Sequence, residues 1–310
     1  MGRFARVPPL TISHIDTAWL WRYTQTQQKI ARSFSSQVEL IKRYPQHHFV
    51  ASSAQQYHWL EELYPTIYRS VQEQVKAGRF HPVGGSWLEH DCLLPSGESL
   101  CRQYLYGQRY FQTKFGVRCK EAWLPDTFGY ASQLPQILRL AGIDYFFTQK
   151  LSWNNINVFP HSTFRWIGLD GSQVLSHMTP VDSYNAQANF SEVVKGVENA
   201  KTLGSTDQCL LLYGNGDGGG GPTSGMLEKV NPSVQPSEVA DCDSFNDSKP
   251  QPMSIPRCPR LRSARCLTSS KPSWSRRQMV RAYQHGEESC TLSYIVEYVI
   301  PALIRLPSHH

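Results

Sequence analysis

The chain has 310 residues, 40% hydrophobic and 12% aromatic, enough for one large domain or two small ones with a sizeable core. Its net charge of +6 comes from 31 scattered basic residues with no Lys/Arg run, which excludes a phosphate-tracking surface, and no apolar stretch approaches membrane-spanning length. Eight cysteines without a Cys-x-x-Cys pair argue against a zinc ribbon and a disulfide scaffold, and MGRFARVPPL has no apolar core of signal-peptide length, so a soluble protein of a reducing compartment is expected.

In chain order, the first feature is SHIDTAWLW (Ser13–Trp21). On a strand end, side chains alternate with period two, so His14 and Asp16 point to the same side and a cation could use both. By itself such a pair is more often a simple hydrogen bond. The leading segment MGRFARVPPL reads as lacking an apolar strand before this motif.

Helical patterns follow at Thr24–Arg43, Gln55–Ala77, Ser96–Phe115, Gln133–Ala141 and Ser191–Leu203, the third with Ser96 as N-cap and Glu98 in its first turn. Short β-rich runs lie between them at His47–Ser52, Glu121–Pro125, Asp144–Gln149 and Cys209–Gly214, and Asp170-Gly171 marks a hairpin turn. Strands separated by helices of this length predict βαβ units: an α/β fold with a largely parallel, barrel-like sheet surrounded by helices. Beyond Asn231 the last 80 residues hold 9 of the 20 prolines and 13 serines with no hydrophobic period. The expected division is therefore an α/β domain over residues 11–230 and an irregular tail over 231–310.

Two further segments carry carboxylates at predicted strand ends. In WLPDTFGYASQLPQIL, Asp126 follows the apolar run AWLP, with Phe128 and Tyr130 beside it as candidate sugar-stacking surfaces. Ligand sites in α/β sheets lie outside such ends, although Asp126 could equally cap the next turn. In LLLYGNGDGGGGPTSG, six glycines fall in the nine residues from Gly214 to Pro222, which suggests a backbone passing close to a ligand, with Asp217 presented among them. No Gly-Lys-Ser/Thr ending is present, so this is not a phosphate loop. Three carboxylates and a histidine at successive strand ends, flanked by aromatics, fit metal-assisted glycoside hydrolysis.

These segments, together with DCLLPSGESL (Asp91–Leu100), QYLYGQRYF (Gln103–Phe111) and FFTQKLSWNNINVFPHSTFRWIGLDGS (Phe146–Ser172), resemble the α-mannosidases of glycoside hydrolase family 38, in particular the cytosolic and vacuolar branch. The resemblance covers residues 11–230 in the family's order. It implies Zn2+, with Co2+ as a substitute, held by His14, Asp16 and Asp126. It implies Asp126 as nucleophile, Asp217 as general acid/base, and Trp19 and Phe128 as the mannose-binding surfaces. A mannose-containing oligosaccharide is the implied partner, with no nucleic acid or membrane, and a cytoplasmic or vacuolar location. The family's fourth zinc ligand, a downstream histidine, has no counterpart here, so a truncated domain is expected. Glu288–Val299, back-translated and read two bases later, spells ELYLELH, similar to a family stretch beyond the Gly-rich loop; an out-of-frame tail is the corresponding expectation. The competing readings are a non-catalytic, carbohydrate-binding remnant and a polysaccharide deacetylase-like metal hydrolase.

Overall fold

The structure, a computed structural model, describes residues 9–202 and 209–230. The expected tail, 231–310, lies outside them. Strand β1 (Pro9–Ile12) leads through the His-x-Asp segment into α1 (Tyr23–Arg43). Then come β2 (Phe49–Ala51), α2 (Ala54–Leu63), α3 (Pro65–Lys76) and β3 (Phe80–Pro82). Helix α4 (Gly97–Phe115), β4 (Glu121–Trp123), α5 (Leu134–Leu140) and β5 (Tyr145–Thr148) follow. A 3-10 turn (Lys150–Trp153), the hairpin β6 (Thr163–Ile167) and β7 (Gln173–Met178), α6 (Phe190–Asn199), β8 (Leu211–Tyr213) and α7 (Ser224–Lys229) complete the described residues.

One sheet has the order β3-β2-β1-β8 and is wholly parallel; the other has the order β4-β5-β7-β6, with only β6 antiparallel. Both contribute to one inner core of Leu10, Ile12, Val50, Val83, Trp123, Phe147, Tyr184, Leu210 and Leu212. The outer faces pack against helices. Phe34, Val38 and Ile41 of α1 and Phe111 of α4 cover Phe49 and Phe80, while Leu134 and Leu138 of α5 cover Ala122 and Phe146. Thr179 Oγ1 donates to Leu210 O at 2.7 Å, tying the exit of β7 to the entry of β8. The expected largely parallel α/β arrangement ringed by helices is observed, its strands divided between two four-stranded sheets that share the inner core. Strands covered on both faces, here by helices outside and the shared core inside, are where parallel pairing is stable.

Three local expectations differ. The segment before the His-x-Asp motif does form a strand: β1 sits inside the first sheet, pairing β2 and β8. Four residues, PLTI, are too few to show a period, and Pro9 stands at the first strand position, where proline is tolerated. The single helix expected over Gln55–Ala77 breaks into α2 and α3 at Tyr64, because Pro65 has no N–H to continue α2 and is well placed to start α3. Strand β3 has no expected counterpart. As expected, Ser96 caps α4, accepting from Ser99 N at 3.3 Å, and the hairpin turns at Gly171, with φ +84°. Among the described residues no helix is long and apolar enough to cross a membrane.

Candidate metal and catalytic site

Strands β1 and β8 are parallel neighbours in one sheet and β4 lies in the other, and residues that follow each of the three strands converge on one place. His14 and Asp16 follow β1 and share a side, as period two requires. His14 Nε2 lies 3.2 Å from Asp16 Oδ1, while Ile15 between them turns into the helix-facing core. Asp126, three residues after β4, places Oδ2 3.4 Å from the same His14 Nε2. Asp217 arrives on the glycine-rich loop after β8. Its carbonyl accepts from Asp16 N at 3.0 Å, and Ile15 bridges Gly218. One ligand atom from each of His14, Asp16, Asp126 and Asp217 lies within 4.8 Å of all the others.

Several glycines of this loop allow close packing against α1 and β1. A Cβ on Gly219 would meet Ser33 Oγ at 2.5 Å, and one on Gly214 would meet Ile12 O at 2.4 Å. Helix α1 then holds the loop: Gln37 Nε2 donates to Gly220 O at 2.7 Å, and Gly220 N donates to Ser33 Oγ at 2.8 Å. Asp217 itself takes a left-handed φ of +57°, a conformation costing a non-glycine residue on the order of 1 kcal/mol that the surrounding clamp must offset.

Three residues that the motifs did not single out complete the site. Lys150, from the 3-10 turn, is buried with its ammonium on Asp126 Oδ1. The same ammonium stands 3.4 Å from the Trp153 ring centroid and 4.3 Å from that of Phe128. Glu89 places Oε2 2.6 Å from His14 Nδ1. Tyr184 donates its hydroxyl to Asp217 Oδ1 at 2.5 Å and sets its ring edge-on to His14. Lys150 lies within the quoted FFTQKLSWNN segment, but a lone lysine in a strand-exit turn carries no pattern. Glu89 lies just outside DCLLPSGESL.

Of the aromatics, Phe128 is 63% exposed at the rim. Tyr130 instead turns inward, donating to Leu124 O at 3.0 Å and packing on Phe146 and Trp166, so it offers no stacking surface. Trp19 stands outside the carboxylate cluster and is 62% exposed.

The electrostatics favour cation capture. The acidic side chains of Asp16, Asp126, Asp217 and Glu89 gather around His14 and Lys150, so acidic groups outnumber basic ones at this rim. Burial would depress the basicity of His14, yet Glu89, Asp126 and Asp16 outweigh it and raise its pKa well above the ordinary value. Burial likewise opposes ionisation of Asp126, but hydrogen bonds and charge from His14 and Lys150 hold its pKa below the usual carboxylate range. An imidazole and three carboxylates at this spacing suit a divalent ion of borderline hardness.

The chain matches known proteins over the same residues. The model of the glycosyl hydrolases family 38 N-terminal domain matches residues 7–240. Alpha-mannosidase G of Dictyostelium discoideum is 54% identical over 217 residues, covering 70% of this chain and 20% of that protein. Alpha-mannosidase 2C1 of Homo sapiens is 52% identical over 217 residues, 70% of this chain and 21% of that one. This chain therefore spans about a fifth of the length of these relatives. Among solved structures, an alpha-mannosidase from Enterococcus faecalis superposes with a TM-score of 0.57 at 19% identity, over 69% of this chain and 25% of that one, which bears on the fold alone. With its family model matched over most of its length, the chain belongs to glycosyl hydrolase family 38.

Proposed function

We propose that this chain is the catalytic domain of a zinc-dependent retaining α-mannosidase acting on terminal α-mannosyl residues of oligosaccharides. The observation that carries the reading is the convergence of His14, Asp16, Asp126 and Asp217 at one strand-end rim. His14, Asp16 and Asp126 would hold the zinc, and the side chain of Asp217 is within reach of the same point. When bound, such an ion polarises sugar hydroxyls and spreads transition-state charge.

The protein's own groups divide the remaining work. Asp126 is kept ionised by Lys150 and serves as nucleophile: its carboxylate oxygen bonds to the anomeric carbon as the glycosidic C–O bond breaks. Asp217 delivers its proton to the leaving oxygen, giving a mannosyl ester on Asp126. A water then attacks the anomeric carbon and gives its proton to Asp217, which releases mannose with retained configuration and restores both groups. The reach of 4.8 Å or less between the two carboxylates matches the ~5 Å that separates nucleophile from acid in retaining glycosidases. Phe128, beside the Lys150 ammonium, and the exposed Trp19 supply apolar faces for a pyranose ring.

The test is release of nitrophenol from nitrophenyl α-mannoside by the purified chain with zinc or cobalt added. Turnover that falls by on the order of 10⁴-fold in Asp126→Ala supports the reading. Mannoside binding without turnover at saturating metal would instead identify a carbohydrate-binding remnant.

A further inference from the structure

His14 offers the cluster only one of its two ring nitrogens, and which tautomer it adopts decides whether that nitrogen has a lone pair to give. Nε2 faces Asp16 and Asp126 at 3.2 and 3.4 Å, while Nδ1 faces away from them, against Glu89 Oε2 at 2.6 Å. With carboxylates on both sides the ring can hold a proton at each nitrogen; a cation arriving between Nε2, Asp16 and Asp126 takes the place of the Nε2 proton, while Glu89, which only accepts, keeps the one on Nδ1.

Glu89 is built to hold that position. Its other oxygen accepts from the Ser52 hydroxyl, and its backbone N donates to Ser53 Oγ at 3.0 Å. Both serines are buried immediately after β2, and Ser53 holds a left-handed φ of +65°. The loop that carries Glu89 is clamped to α4. Trp87 N donates to Gln103 O at 2.8 Å and Leu88 N to Gln103 Oε1 at 2.9 Å. Gly107 lets α4 approach so closely that a Cβ there would meet the Ser86 carbonyl carbon at 2.3 Å. Glu89 lies outside the four-residue ligand cluster and on the far side of the imidazole, so neither nucleophile nor proton donor is its role.

We infer that Glu89 is a positioning residue, the carboxylate that fixes the tautomer and ring orientation of His14 so that Nε2 can bind a divalent cation. The inference rests on the zinc reading above and assigns a determinant of metal affinity that takes no direct part in bond breaking. Carboxylate partners of metal-ligating histidines act in this way elsewhere, and their removal lowers metal affinity by about 10- to 100-fold.

The experiment titrates zinc and cobalt into the 310-residue chain, comparing wild type, Glu89→Gln and Glu89→Ala by calorimetry, with circular dichroism and ring-nitrogen NMR of His14. Glu89→Ala is expected to lose about 10- to 100-fold in affinity. Glu89→Gln should lose less, because its amide oxygen still accepts from Nδ1. In the loaded wild type the ring should carry its proton on Nδ1, with tautomers mixing in Glu89→Ala. Should Glu89→Ala fail to fold, the nearly isosteric Glu89→Gln carries the test through its affinity and its ring signals. Unchanged affinity and an unchanged tautomer in the folded variants overturn the inference while leaving the zinc reading intact. A wild-type chain that binds neither metal overturns both.

Discussion

Buried and half-buried histidines lie towards opposite ends of the first sheet, and their surroundings push their basicity in opposite directions. Beyond the C-terminal end of β1, His14 has carboxylates at both ring nitrogens, from Glu89 on one side and Asp16 and Asp126 on the other. Near the N-terminal end of β2, His47 meets only Gln37 Oε1 at 3.1 Å and Thr11 Oγ1 at 3.4 Å, and His48 Nδ1 meets His81 Nε2 at 3.2 Å. That last contact requires one ring to donate and the other to accept, so the pair cannot both be protonated there. Burial pushes His47 down to about 3, His48 to about 4 and His81 to about 3, with Arg79 adding charge repulsion. Burial opposes the charge at both ends; the neighbours decide the outcome.

The comparison breaks most visibly at Lys150. Lys150→Met leaves the half-buried carboxylate of Asp126 without the ammonium on its Oδ1; truncating one partner of a fully buried pair costs about 3–5 kcal/mol, and solvent and His14 should bring this loss to the lower end of that range. Chemical denaturation in chelator should show a loss of that size. A variant as stable as wild type would mean that the carboxylate cluster does not need its cations.

The histidine trio makes a pH prediction of smaller size. Its folded pKa values lie below the ordinary histidine value of about 6.5. Between the two the unfolded chain binds more protons, so the stability is fully present above about pH 6.5 and is lost as pH falls towards 4. Each such histidine adds at most about 1.4 kcal/mol per pH unit to that slope. His81→Leu should flatten the decline in urea stability across this window by up to one histidine's share, and equal slopes would contradict neutral burial. The smallest effect belongs to His58, whose partly exposed Nε2 lies 3.5 Å from Glu62 one helical turn on. His58→Ala should shift stability by less than about 1 kcal/mol at any pH, measured by the same denaturation.

Much of the site was legible because it is written in local pattern. His14 and Asp16 share a side by period two, and Asp126 and Asp217 each close an apolar run, so all four could be placed at strand ends before their meeting was visible. Phe128 and Tyr130 looked equivalent in WLPDTFGY, yet one is exposed and the other anchors in the core through Leu124 O and Phe146. The glycines suggested a close approach to a ligand; the close approach of α1, some 180 residues away in the chain, was not legible, as the bond from Gln37 to Gly220 shows.

By itself the sequence determined the α/β alternation, the candidate ligands and the family they resemble, since hydrophobic period, turn residues and motif order are properties of neighbouring residues. The tertiary structure alone decided three things: that β1 is an inner strand, that Lys150 and Glu89 bracket the site, and that burial and neighbours raise the basicity of His14 but lower that of His47, His48 and His81. Each depends on which distant groups share a low-dielectric interior, where an ion is stable only beside its counter-charge. That partnership is set by packing across strands and loops, and no stretch of adjacent residues records it.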